Sequence, residues 1–414
     1  MPATSTPASS SSIADAGIAV DLLPIRPGFD ACGSRKKCGK RGAVVFSELM
    51  IFRLLPAWLA LVTMGLAETQ ELPEPPESPQ VLEDRSVVFR YEDATAKRVM
   101  LKGIRRTLVE MKRGPNGVWS ATVGPMDPGL YDYSFMVDGE QVIDPSNPSV
   151  KPEMNPDTSL LEITTKTPLF YQWDDVPHGT VHLQTYFSKS LKRLRRVRIY
   201  TPPGYEQETA KSYPVLYLFH GTGDTEATWT EFGRANLILD NLIAAKKAVP
   251  MLLVMPDGHA DLREEEGDHK ENFVKFEADL LGSVMPLVES NYRTVRTPAG
   301  RAINGLSMGG MQSLEIGIRH PELFAYVGGM SAYVPHPDEL LGEALKNPRL
   351  NSELKLLWIS IGKDDYLLKK AEDSHQLLLD HGIHVQWTLT AGTHEWPVWR
   401  EYLRDFAPLL FPPA

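Results

Sequence analysis

The sequence predicts an α/β fold built on a doubly wound, largely parallel sheet, preceded by a small all-β sandwich. Two observations carry that expectation. From about residue 180 onward, continuously apolar runs such as PVLYLF and PMLLVMP alternate with segments of helical period, the succession that places helices on both faces of a buried parallel sheet. Between residues 81 and 165 no long helical period occurs, and short alternating or β-branched runs follow one another between turn clusters such as GPNG and DPG, the rhythm of an antiparallel sandwich.

Composition agrees with a folded chain and excludes some classes. The 414 residues are 42% hydrophobic and 23% charged, a globular profile that excludes disorder of the whole chain. The formal charge is −10, and no basic stripe occurs beyond the first fifty residues, so the footprint of a nucleic-acid binder is missing.

The first eighty residues read as processing sequence. Residues 1–49, with the serine run at 9–12 and the basic RKKCGKR, are expected to be disordered or to belong to an overlong translation start. From Met50 the chain runs MIFRLLPAWLALVTMGLA, with Arg53 before an uncharged stretch at 54–67 that ends in Gly65 and Ala67. That layout predicts a signal peptide over 50–67, cleaved after Ala67, and hence a secreted or periplasmic protein. A stable membrane span is disfavoured, because about 18 to 20 apolar residues are needed and Pro56 interrupts these. Cys32 and Cys38 are the only cysteines, so the mature chain is expected to offer no disulfide, thiol nucleophile or thiolate metal site. Residues 68–414 carry 36 Lys and Arg against 49 Asp and Glu, an acidic surface that favours solubility. The proline-rich 68–80 is a linker.

Strands of the sandwich (81–165) are expected at SVVFRY, RVMLKG, TLVEMK, VWSATV, YDYSFMV and LLEITT. A second linker at 166–179 leads into the α/β unit at 180–414. Its strand candidates are RVRIYTP, PVLYLFHG, PMLLVMPDG, GRAINGLS, FAYVGGMS, KLLWISIG and HVQWTLTAG. Helices are expected at roughly 234–247, 272–291, 308–319, 369–381 and 398–409. In this class, ligands sit at the carboxyl ends of the strands.

AINGLSMGG, residues 302–310, places Ser307 between Gly305 and Gly309. A G-x-S-x-G arises by chance in roughly one chain of this length in seven, so the surroundings decide. Here the serine follows an apolar strand and precedes a helix, where a sharp turn has no room for a Cβ two residues either side and exposes the hydroxyl. Such a serine needs an imidazole to take its proton and a carboxylate to fix the imidazole's tautomer, in the order Ser, Asp, His for an α/β-hydrolase. The strand KLLWISIG ends in KDDY and HVQWTLTAG ends in THEW, which makes Asp365 and His394 the candidates. Asp364 is the alternative acid, whereas His375, His381 and His384 fall in a helix, its end or a strand start.

For the developing oxyanion, the backbone N–H of Met308 is one expected donor. The loop LFHGTGDTEATW supplies the other, from Thr222 or Gly221, and His220 reads as a residue that fixes this loop. DGHADLREEEGDH lacks regular metal-ligand spacing and reads as a solvated loop, so neither a metal nor another cofactor is expected. Trp229 and Trp396 flank the expected pocket together with Trp399, and could stack on a sugar or phenolic acid or serve in packing.

These residues resemble a known family. VLYLFHGTGDTEATW, LILDNLIA, PMLLVMPDGHA, NYR before RAINGLSMGG, IGKDDYL and AGTHEWPVW are similar, over about residues 175 to 412, to the esterase D-like hydrolases of carbohydrate esterase family 1, which includes feruloyl and acetyl xylan esterases. The resemblance implies a nucleophile at Ser307, an acid at Asp365 and a base at His394. GVWSATVGPMDPGLYDYSFMVDG followed by DPSNP resembles a family 48 carbohydrate-binding module, which implies an immunoglobulin-like early-set sandwich. Sugar binding by it is a weaker implication, since Trp119 could fill the sandwich core. The expected function is therefore a secreted serine esterase that deacylates feruloyl or acetyl xylan through an acyl-enzyme, with an acylated polysaccharide or oligosaccharide as partner. A siderophore trilactone esterase, an acyltransferase of the same fold and a non-catalytic glycan-binding protein are the rivals.

Overall fold

The computed structural model describes residues 76–104, 108–260, 270–335, 337 and 341–412. The expected disordered start, the signal peptide, residues 68–75 of the first linker and residues 261–269 of the acidic DGHADLREEEGDH loop lie outside the described residues.

The described chain opens with two facing antiparallel sheets. One contains β1 (Gln80–Val81), β2 (Val87–Glu92), β5 (Lys112–Arg113) and β6 (Val118–Val123), in the order β1-β2-β6-β5. The other contains β3 (Val99–Lys102), β4 (Val109–Glu110), β7 (Gly129–Val137) and β8 (Glu140–Val142) in the order β4-β3-β7-β8, with β9 (Ser159–Ile163) pairing β7. Alternation sends Val87 and Phe89 of β2, Val99 and Leu101 of β3, and Tyr133 and Phe135 of β7 into one core. Each such side chain contributes about 1.5–3 kcal/mol of burial. Phe89 meets Tyr133 edge to face, 4.8 Å between ring centres. Trp119 is part of this core, with its indole N–H on the Asp93 carbonyl at 3.0 Å. The short β1 and β8 were not expected, because two and three residues are too few to show a period.

Residues 166–179, expected as a linker, are fastened to the α/β unit. Phe170 and Tyr171 pack on one of its core clusters, and the Asn241 amide donates to the carbonyls of Phe170 and Gln172.

The α/β unit is an eight-stranded mixed sheet. β10 (Thr180–Ser188), β11 (Arg193–Thr201), β12 (Val215–Phe219), β13 (Leu252–Pro256), β14 (Arg301–Gly305), β15 (Tyr326–Met330), β16 (Leu356–Gly362) and β17 (Gln386–Thr390) run in the order β10-β11-β13-β12-β14-β15-β16-β17. From β13 to β17 every pairing is parallel, while β10, β11 and β13 pair antiparallel. The order reverses around β12, and β12 shows why both faces need cover. Val215, Tyr217 and Phe219 enter one core cluster, Leu216 and Leu218 the other, and all five residues are buried.

The helices follow the strands in turn: α1 (Thr228–Glu231) and α2 (Ala235–Ala244) after β12, α3 (Lys270–Asp279) and α4 (Met285–Asn291) after β13, α5 (Met308–Arg319) after β14, α6 (Leu350–Glu353) after β15, α7 (Leu368–Asp380) after β16 and α8 (Trp396–Phe406) after β17. The single helix expected at 272–291 is broken by a wider π turn, Leu280–Val284, just before Pro286. Proline has no N–H to return to the preceding turn, so the helix widens there. Among the described residues no helix is long and apolar enough to cross a membrane.

Candidate active site

β14 delivers Ser307 to the start of α5 with φ 51° and ψ −119°. A side chain in that region costs about 1–3 kcal/mol, and the surroundings hold it there. The Ser307 N–H donates to the Met330 carbonyl at 2.9 Å, and its own carbonyl accepts from Met311 at 2.9 Å. The flanking glycines are required by space. A Cβ on Gly305 would lie 2.5 Å from the Gly309 carbonyl carbon, and one on Gly309 would lie 2.4 Å from the His220 carbonyl oxygen. The turn can therefore close only where both side chains are absent.

Two other strand ends supply an imidazole and the carboxylate that faces it. His394 stands in the loop after β17, with Nε2 3.0 Å from Ser307 Oγ. Its Nδ1 lies 2.9 Å and 3.1 Å from the two carboxylate oxygens of Asp365, in the loop after β16. These distances suit an N–H on Nδ1 donating to the carboxylate, which leaves Nε2 free to accept from the serine hydroxyl. The two loops are clasped: Lys363 N–H donates to Thr390 O at 2.8 Å and Asp364 N–H to Gly392 O at 3.1 Å. Asp364 itself is largely exposed, with a carboxylate oxygen 3.9 Å from Lys363 Nζ, and it is Asp365 that meets the imidazole.

Burial alone raises the Asp365 carboxyl, yet hydrogen bonds from His394, the Leu367 N–H and the Ser331 hydroxyl hold it below the ordinary carboxylate range. It is thus an anion when the site is near neutrality. Ser331 is fully buried and also accepts from the Trp399 indole N–H at 3.0 Å. Trp399 stands edge-on to the His394 ring, 5.0 Å between centres, and Tyr366 covers it at 4.6 Å. Sequence reasoning missed Ser331 and Tyr366, since a serine after a strand and a tyrosine beside an acid carry no spacing signal.

On the other side of Ser307, the loop after β12 is fixed by His220. The Gly258 N–H donates to His220 Nε2 at 2.8 Å, so Nδ1 carries the proton and donates to Gly221 O at 2.9 Å. The Gly221 N–H is taken by the Asp224 carboxylate at 3.3 Å. Of the two alternatives, this leaves Thr222 as the loop N–H with no such acceptor. Thr222 is exposed and borders the cavity. Met308 opens α5, where a helix N–H has no partner within the helix.

A cavity of about 650 Å³ opens beside His394, within the range of small-molecule sites. Trp396, Trp399 and Phe232 line it from the α/β unit, and Tyr131, Asp132 and Lys151 from the sandwich. Trp229, expected to flank the substrate, does not. It is 1% exposed, donates its indole N–H to Phe219 O at 2.8 Å and lies beneath Trp396, 5.1 Å between ring centres. The reason is its place on α1, whose Thr228, Trp229 and Thr230 are all buried. Trp229 is thus corrected to a packing residue that supports Trp396.

The Esterase family model matches residues 188–408, which contain every residue of this Ser–His–Asp arrangement. The chain belongs to the esterase family. Among its relatives is an endo-1,4-beta-xylanase/feruloyl esterase of Xylanibacter ruminicola, 33% identical over 81% of this chain and 46% of that protein. The chain thus spans less than half the length of that relative. A solved ferulic acid esterase structure is 28% identical, with a TM-score of 0.50, covering 56% of this chain and 97% of the other. The enterobactin esterase of Shigella flexneri, at 21% identity and a TM-score of 0.56, covers 80% of this chain and 94% of the other. That likeness is one of fold, and its reach exceeds what the α/β unit alone can supply.

Proposed function

We propose that this member of the esterase family is a secreted serine carboxylic-ester hydrolase that removes feruloyl or acetyl groups from xylan. The observation that carries the reading is the continuous hydrogen-bonded path from Ser307 Oγ through His394 to Asp365 at the edge of an open cavity. The feruloyl and ferulic acid esterases among the relatives support the acyl group, and the reading of residues 50–67 as a signal peptide supports secretion.

In this reading, Ser307 Oγ attacks the ester carbonyl while its proton passes to His394 Nε2. The oxyanion is received by the backbone N–H groups of Met308 and Thr222, each typically worth about 3–4 kcal/mol in such sites. As the tetrahedral intermediate collapses, Nε2 returns the proton to the departing sugar oxygen and leaves an acyl-serine. Water then attacks the acyl-serine, giving its proton to Nε2, and the carboxylic acid leaves as Ser307 recovers its hydrogen. Asp365 keeps Nδ1 protonated throughout and stabilises the imidazolium. The aromatic wall of Trp396 and Trp399 suits the flat face of a phenolic acid or sugar.

A catecholate trilactone would favour a cationic cavity. Lys151 and Arg400 do line it, but Asp132, Glu153, Asp224 and Glu395 line it as well, so the surroundings favour a neutral acylated sugar. A purely glycan-binding role has no use for the complete Ser–His–Asp path.

The test is kinetic and chemical. Ser307→Ala should abolish hydrolysis of methyl ferulate and 4-nitrophenyl acetate with the fold intact, and the parent should release ferulate or acetate from arabinoxylan. Full turnover by Ser307→Ala would remove the nucleophile, and a preference for a catechol lactone in kcat/KM would replace the substrate class.

A further inference from the structure

The sandwich reaches the loop that carries Thr222. Residues 151–154, between β8 and β9, run alongside residues 223–228 and are bonded to them. The Met154 N–H donates to Gly223 O at 2.8 Å, Glu153 pairs antiparallel with Asp224, and Pro152 O accepts from the hydroxyls of Thr228 and Thr225. Thr228 makes the junction. It is fully buried, and the same hydroxyl that donates to Pro152 accepts the Thr225 N–H at 2.9 Å. One side chain therefore ties the sandwich backbone to the backbone of the loop.

The loop needs such a tie. Gly221 and Gly223 flank Thr222, and Gly223 stands at φ +83° with open space around it. Glycines give a segment freedom rather than stiffness, yet an oxyanion donor is useful only when fixed close to its final position. His220 anchors one end of the loop, and the 152–154 segment holds the other. Leu130 of β7 and Leu160 of β9 are buried in the same core cluster as Trp229 and Trp396, so the sandwich is seated on the α/β unit rather than tethered beside it.

We propose that residues 152–154 are a strut through which the sandwich sets the position of the 221–225 loop, with Thr228 as the positioning residue that fastens it. This rests on the esterase reading for its kinetic consequence, though not for its structural one. Glu153 of the strut borders the cavity, but Thr228 and Met154 do not, so loosening the junction at either of these two residues acts on the rate of acyl transfer more than on substrate affinity.

The experiment uses the full chain and two pairs of variants. Thr228→Val keeps the volume and removes the hydroxyl, while Thr228→Ser keeps the hydroxyl. Met154→Pro removes the N–H that bonds Gly223, while Met154→Ala retains it. The expected result is that T228V and M154P lower kcat for 4-nitrophenyl acetate on the order of tenfold, less than the 10²–10³ of a lost donor, with KM within about twofold. T228S and M154A should stay near the parent. Hydrogen–deuterium exchange of residues 221–225 should quicken in T228V and M154P and remain parent-like in the two controls. The pairs guard against misfolding, since T228V and M154P disturb different partners of the same junction. Parent-like kcat in both disruptive variants, or unchanged exchange over the loop, overturns the strut. A parent that turns over no ester sinks the esterase reading alone, and the exchange data still decide the strut.

Discussion

Replacing Asp365 by asparagine is the sharpest probe of the site, because the structure gives the change one principal effect. The Asp365 carboxylate accepts from His394 Nδ1 at 2.9 Å and 3.1 Å, and from the Leu367 N–H at 2.9 Å. Asparagine has the same shape and keeps a carbonyl oxygen for Leu367, so the loop after β16 retains that bond. Its amide can also turn an N–H toward Nδ1. The imidazole then holds its proton on Nε2, which faces Ser307 Oγ and can no longer accept from it. In serine proteases the same exchange costs about 10⁴ in kcat, or about 5.5 kcal/mol of barrier, and a comparable loss is expected here. Steady-state hydrolysis of 4-nitrophenyl acetate and methyl ferulate at neutral pH measures it, with thermal unfolding as a control on the fold. A loss below tenfold would refute the tautomer argument. An equal loss from Asp364→Asn would move the acid to a residue whose side chain is largely exposed.

Two further changes test neighbouring parts of the structure. Gly309→Ala puts a Cβ 2.4 Å from the His220 carbonyl oxygen, a backbone atom that cannot swing aside, so denaturant titration should show a loss of about 1–3 kcal/mol together with a fall in kcat. Glu315, buried on α5 beside Arg319 and Glu277, has its carboxyl pushed from 4.5 to about 7 by burial. The folded state thus holds this proton more tightly than the unfolded one, and stability contributed by it is lost as pH rises from about 4.5 through 7. Glu315→Gln should therefore gain on the parent at pH 8, by at most about 3 kcal/mol, and gain little at pH 4. A gain that does not depend on pH would show that folding leaves this carboxyl's proton affinity unchanged.

The α/β unit was legible because its strands are buried on both faces and so read as unbroken apolar runs. β12, β13 and β14 are buried at every residue. β10 escaped notice because it pairs only with β11 at the sheet edge, where Leu183 and Phe187 remain exposed and the apolar signal is diluted by His182 and Gln184. Ser307, Asp365 and His394 could be picked from the chain because each stands where a strand stops. Which aspartate turned inward was not visible, since adjacent loop residues differ only in direction. Trp229 and Trp396 looked alike in sequence, yet one lies under the other. Least legible was the sandwich's share of the site: KPEM has no motif, and Lys151, Pro152 and Glu153 gain their meaning from a loop about seventy residues away in the chain.

The bonds from Lys363 to Thr390 and from Asp364 to Gly392 join the neighbouring turns that carry Asp365 and His394. A shift of that corner therefore carries Asp365 and His394 together, and the contact that must bridge to a different strand end is the one from His394 Nε2 to Ser307 Oγ. Gradual warming should thus silence the enzyme by widening one contact, well before the polypeptide as a whole gives way.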